Sequence, residues 1–265
     1  MLPIMAEAEL FDITHNLYMI ISVIVSAAIL VLSYIFVKNE LHKERLLKFW
    51  AIITVIIHYS IMWVQYLSNE TVAVGSNMLF PTFACNACMW MLVAVAFIKN
   101  KNGLLFKLLA EFVFWGGIVC GVIGILLNEN YDGSIGLADY EILKGLVSHS
   151  TMLIGAIYLL VGKFIKIRVF NVLSVVLGLC IFLIDGLIVN AIFLHFRGEE
   201  ANSMFLQEPP FDSMPWLNTA FIGLVAVVVC FTITAIYEQI ALPSSERWYT
   251  KLKGIFNKNK RREEQ

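Results

Sequence analysis

Charge is what this sequence is short of. Only 15% of its 265 residues are Asp, Glu, Lys or Arg and 59% are hydrophobic, whereas an ordinary soluble domain is about a quarter charged. A chain so poor in charge cannot cover itself with a hydrated surface, which points to a membrane protein before any segment is located. The formal net charge of -1 leaves no basic field for nucleic acid. Cysteine is scarce as well. The five present are an odd number, all in apolar stretches, which argues against a secreted disulfide framework. The opening residues, MLPIMAEAELFDITH, contain no Lys or Arg. They lack the basic n-region of a signal peptide, so the first hydrophobic segment is expected to remain as a membrane helix.

What is there is a series of apolar runs of the ~20 residues needed to cross a bilayer. Seven are found, at Leu17–Val37, Phe49–Leu67, Met78–Ile98, Leu104–Leu127, Leu143–Val161, Phe170–Phe196 and Trp216–Leu242. The expected fold is all-α: a polytopic membrane protein with a seven-transmembrane-helix bundle as its single domain, 1–242, and a basic tail, 243–265. Seventeen of the nineteen basic residues fall in the tail and in the connections after the first, third and fifth runs. The other side holds only Lys144 and Arg197, and collects Glu7, Glu9, Asp12, Glu129, Asp132, Asp139, Glu199 and Glu200. The positive-inside rule then puts the N-terminus outside and the C-terminus in the cytoplasm. The tail mixes Lys with Trp248, Tyr249 and Phe256, which suits either a lipid-surface anchor or a solvated end that satisfies topology. Asn69-Glu70-Thr71 fits a glycosylation sequon, without meaning in a bacterium.

Polar groups inside hydrocarbon are costly and mark candidate sites. They are His58, Cys85, Asn86, Cys88, Glu111, Ser148, His149, Asp185 and Asn190. At a rise of ~1.5 Å per residue, Cys85 lies roughly 10 Å below Met78 and His149 roughly 9 Å below Leu143. The two share one level, with Pro81 a turn above the cysteine to shape the start of the helix. Asp185 lies roughly 16 Å down its own run, deep enough for a second-layer partner of an imidazole. Each has a plain structural reading beside the functional one. Buried cysteines often pack as small hydrophobes, which is the reading for Cys120, Cys180 and Cys230, and an intramembrane Asp often bonds a neighbouring helix.

Other chemistries fit less well. Cys85-x-x-Cys88 has the spacing of a redox pair, but no connection on the outer side holds a second pair to receive electrons. Zinc would need about four ligands. Cys85, Cys88 and His149 make three, with His58 or Asp185 as a fourth, and no metal or cofactor is expected. A retinal-type Schiff base is excluded by the lack of a lysine in Trp216–Leu242.

Three stretches together resemble a known family. FPTFACN at 80–86 resembles the P-x-H-x-C-N-like start of the third span of the YwaF family of bacterial integral membrane proteins. VSHS at 147–150 resembles that family's S-H in the fifth span, and NSMFLQEPP at 202–210 its N-Y-M-F-L-x-x-x-P loop before the last span. The YwaF family is similar to the animal transmembrane protein 164, a phospholipid acyltransferase with an essential cysteine and histidine. The resemblance carries those roles to Cys85 and His149, the pair already selected by depth. Two positions depart from it: Phe83 stands where the family has histidine, and Ser203 where its loop has tyrosine.

The resulting expectation is acyl transfer or hydrolysis on a membrane phospholipid or lysolipid, in a bacterial cell membrane. Cys85 would act as nucleophile, His149 as base and Asp185 as its orienting partner. Asn86 and Ser148 are candidate oxyanion donors, and Asn202 and Phe205 candidate substrate contacts in the loop over the outer mouth. Burial disfavours a thiolate, so this chemistry demands a preorganised pair. The rival expectation is a non-catalytic protein that binds a lipid, a small molecule or a partner subunit.

Overall fold

The computed structural model describes residues 7–67, 81–128, 131, 133–198, 200–209 and 214–253. The sequon, the positions 78–80 of the third run, the loop positions 210–213 and the tail from 254 onward lie outside them. Among the described residues there is no strand, and seven α-helices form the bundle. They are α1 (Ile13–Phe36), α2 (Glu40–Leu67), α3 (Ala84–Phe97), α4 (Leu104–Leu126), α5 (Tyr140–Val161), α6 (Val172–Arg197) and α7 (Thr219–Ala241). All but α3 are long and apolar enough to cross a membrane, so the chain is an integral, multi-pass membrane protein. The 14 residues of α3 extend only about 21 Å, against a hydrocarbon core of about 30 Å.

Boundaries differ from the apolar runs where polar residues continue a helix. The second run begins at Phe49, but α2 begins nine residues earlier at Glu40 and includes the charged stretch ELHKERLLK. A hydropathy window sees only the part of a helix that lies in lipid. At the opposite end of the bundle, α1 starts at an Asp12 cap whose side chain accepts from the His15 N–H at 2.7 Å. That bond holds the Asp12 carboxyl below its ordinary pKa. The fully buried His15 ring stacks on Tyr131, centroids 4.5 Å apart, and bonds the Ile125 carbonyl through Nε2 at 2.8 Å. These contacts fasten the start of α1 to the α4–α5 connection.

Helix α5 is the centre: 61% of its span is buried within the protein, against 17% for α1 and 11% for α7. The apolar faces of the outer helices are therefore left to lipid. Against α4 the approach is set by glycine. A methyl group on Gly117 would stand 2.7 Å from Ala156 Cβ, and one on Gly121 3.0 Å from Leu153 Cβ. This GxxxG pair lets two backbones close as membrane helices do when small residues line the seam. Polar side chains tie the other neighbours of α5. Thr54 of α2 donates to Thr151 at 3.0 Å, and Ser150 meets Tyr18 and Ser22 of α1 at 2.9 and 2.8 Å.

The basic end is held by buried acids and a capping lysine. Lys101 Nζ donates to the carbonyls of Val95 and Ala96, both at 2.9 Å, closing the end of α3. Glu111 accepts from Asn171 and Ser174, joining α4 to α6. Glu238, 1% exposed, accepts the backbone N–H of Val169 through one oxygen and of Trp248 through the other, each at 2.8 Å. Replacing it by alanine strands two N–H donors at about 1–3 kcal/mol each. Glu238→Ala is expected to lower Tm in detergent by about 5–10 °C, with Glu238→Gln intermediate. An unchanged Tm would refute the clamp.

Candidate functional site

Helix α3 begins late. Pro81 and Thr82 lie outside any helix, Phe83 is the extended N-cap with φ -111° and ψ 153°, and the first helical residue is Ala84. Cys85 is thus the second residue of its helix rather than one two turns inside a span that starts at Met78. The first turn of an α-helix carries the positive end of its macrodipole, which favours negative charge. Cys85 is half-buried, and its Sγ donates to Asn86 Oδ1 at 3.4 Å. It packs in a cluster with Met152, Cys88 and Met204.

Met152 lies one turn beyond His149 on α5. The His149 Nδ1 is 2.8 Å from the Gly145 carbonyl. A carbonyl only accepts, so Nδ1 carries the proton and the neutral ring keeps its lone pair on Nε2. The ring lies flat against α4 at Gly124, where a methyl group would stand 2.1 Å from Cδ2 and 2.3 Å from Nε2. Gly124 thus continues the Gly117–Gly121 seam, and a residue with any side chain would occupy the space of the imidazole. Lys144, one turn before Ser148 on α5, is 9% exposed. It lies within electrostatic range of Cys85, His58 and His149. Helix α3 thus supplies a thiol, α2 an imidazole, and α5 an imidazole and an ammonium that lies within electrostatic range of the other three.

Residues 10–237 of the chain match the TMEM164 family. The chain belongs to that family. No curated protein and no solved structure matches it.

The remaining expected site residues of this TMEM164-family chain fall into different places. Ser148 is fully buried and spends its hydroxyl hydrogen on the Gly145 carbonyl at 2.9 Å. Asp185 makes no bond to His149: the orienting acceptor is Gly145, and Asp185 Oδ2 is sealed with no hydrogen-bond partner among the described residues. Asn202 closes its own loop, its Oδ1 accepting from Gln207 N and Glu208 N at 3.1 and 3.0 Å. Phe205 packs against Phe83, with ring centroids 5.1 Å apart and planes tilted by 30°. Cys88 is fully buried and packs in one cluster with Cys120 of α4, so the second thiol of the C-x-x-C faces a neighbouring helix. Among the described residues no group of three His, Cys, Asp or Glu could hold a metal.

The 202–208 loop is a fixed roof on the start of α3. Ser203 Oγ and Met204 N both donate to the Thr82 carbonyl, at 2.9 and 2.8 Å. Ser203 N donates to Asn190 of α6 at 2.7 Å, and Thr219 of α7 donates to the carbonyls of Met204 and Phe205. Asn202, Met204 and Phe205 hold positive φ of 44°, 56° and 53°, a strained conformation for non-glycine residues that surrounding bonds must enforce. The two departures from the family pattern, Phe83 and Ser203, lie at this one junction. Sequence reasoning missed Lys144 as a site residue, although it is one of only two cations on the acidic side. It also missed Gly124, whose signal was the Gly117-x-x-x-Gly121-x-x-Gly124 spacing.

Proposed function

We propose that this chain moves acyl groups of membrane phospholipids, by transfer to a lysolipid or to water, through a thioester on Cys85. The proposal also places the protein in a bacterial cell membrane with the acidic end outside, and makes α3 a seventh membrane segment. The observation that carries the chemistry is the tautomer of His149. With Nδ1 committed to Gly145, Nε2 is the basic nitrogen, and Met152, one turn from His149, packs in the cluster that holds Cys85.

The proton path follows. His149 Nε2 takes the thiol proton of Cys85, and the sulfur attacks the ester carbonyl carbon. The helix N-terminus supports the developing negative charge on sulfur, and the amide of Asn86, the next residue after Cys85, serves as donor to the carbonyl oxygen as it becomes an oxyanion. Collapse breaks the C–O bond, and the leaving lysolipid oxygen takes the proton from Nε2. In the second half an acceptor hydroxyl gives its proton to Nε2, attacks the thioester and releases the Cys85 thiol, which recovers the proton. Ser148 serves by bonding the same carbonyl that orients His149, and needs no contact with substrate.

The test is peptide mass analysis of the purified full chain after exposure to a diacyl phospholipid. A hydroxylamine-labile acyl mass on Cys85 supports the proposal. No adduct across several headgroups, with Cys85 recovered unmodified, overturns it.

A further inference from the structure

A buried cation sits on the acidic side of the bundle. Of nineteen basic residues, Lys144 is one of two on the acidic side, and it is the one that is buried, at 9% exposure. Burying an ammonium is costly unless an anion accompanies it. Among the described residues Lys144 forms no ion pair; the two pairs present are Lys43–Glu40 and Arg168–Glu246. Glu141 is within electrostatic range but exposed and forms no ion pair with it. Beside it, His58 Nδ1 is sealed from solvent without a hydrogen-bond partner among the described residues. His149 adds a third nitrogen-bearing ring within the field of Lys144. The cluster has positive charge, unspent polar capacity and no carboxylate bonded into it.

We propose that Lys144, assisted by His58, seats the phosphate group of a membrane lipid beside Cys85. The assignment rests on the lipid-acyl reading for its meaning, but the binding it describes does not require turnover. A lipid phosphate lies a few bonds from the first acyl ester, so an ammonium in the field of Cys85 fixes the glycerol backbone with an ester presented to sulfur. Lys144 is then a specificity-determining residue: phosphate-bearing lipids are bound, and neutral glycerides with the same chains are discriminated against. The ammonium acts as a point charge with rotatable donors, which suits a phosphate oxygen approached from one side.

The experiment uses ether-linked lipids, which carry no ester and cannot be turned over. Binding of a dialkyl glycerophosphate lipid, of the dialkylglycerol with the same chains and of inorganic phosphate is measured on the purified full chain in neutral detergent by native mass spectrometry. The phosphate lipid is expected to bind at least about tenfold more tightly than the dialkylglycerol, a difference of about 1.4 kcal/mol. Lys144→Gln is expected to erase that preference, and Lys144→Arg to keep most of it. Equal binding of both lipids by the wild type, or a preference that survives Lys144→Gln, overturns the assignment. So does inorganic phosphate binding as tightly as the phosphate lipid, which would make the site one for a free ion. Cys85→Ala should bind the ether lipids as the wild type does. A Lys144-dependent preference without any acyl mass on Cys85 would therefore sink the transfer chemistry and leave the phosphate seat standing.

Discussion

Cys85→Ala is expected to reduce acyl transfer by on the order of a thousandfold or more, as removal of a nucleophile does, while Cys88→Ala retains it within about threefold. The two thiols are three residues apart and share a helical face, yet the fold separates their chemistry. Cys85 is half-buried in the first turn of α3. Cys88 is fully enclosed against α4, where its Sγ stands 2.9 Å from the position a methyl on Gly116 would take and where Cys120 packs in the same cluster. Loss of Cys88 costs packing, not a reacting atom. Turnover of a labelled phospholipid into labelled acceptor, measured in matched proteoliposomes, separates the two. Equal losses would show that the pair acts as a unit and would revive a dithiol reading.

Gly124→Ala should behave almost as His149→Ala does, with a fall of about a hundredfold in turnover from displacement of the base by an ångström or so. The imidazole occupies the volume where a side chain at 124 would begin, with two ring atoms within 2.3 Å of the added carbon. Since the backbone on either side is helix, the ring is what must move, away from the Gly145 carbonyl that fixes its tautomer. Gly223→Ala on α7 is the matched control, because its methyl would meet only Leu179 Cδ1 at 3.7 Å, an ordinary contact. Assembly judged by size-exclusion profile should be preserved in both. Full activity in Gly124→Ala would mean that His149 can work from another position, and the orientation argument would fail.

Most of the helices were legible because the bilayer imposes a length on apolar runs, and the runs ending at Leu67, Leu127 and Val161 meet helix ends at Leu67, Leu126 and Val161. The charged first turns of α2 were not, since helical hydrogen bonding does not stop where hydrocarbon does. The late start of α3 was hidden for the opposite reason: PTFAC is apolar enough to pass as membrane helix, but Phe83 is an extended N-cap and the Thr82 carbonyl before it accepts from Ser203 and Met204. At the site, depth alone selected Cys85 and His149. Depth says nothing about azimuth, so it could not show that the Ser148 hydroxyl bonds Gly145 or that the His149 ring is oriented by that same carbonyl. Lys144 stands in the sequence only as one of two cations on the acidic side, and its burial is a property of the folded bundle that charge counting does not reach.

The pinned loop above α3 bears on how a thioester there would be partitioned. Met204 and Leu206 pack into the cluster that holds Cys85, and a roof tied at Thr82, Asn190 and Thr219 does not lift cheaply. Bulk water would have to reach the acyl carbon past this plug, whereas an acceptor dissolved in the bilayer arrives between helices without disturbing it. Under the proposed chemistry the kinetic competition therefore favours re-esterification over hydrolysis, and the protein would conserve acyl chains as it exchanges them.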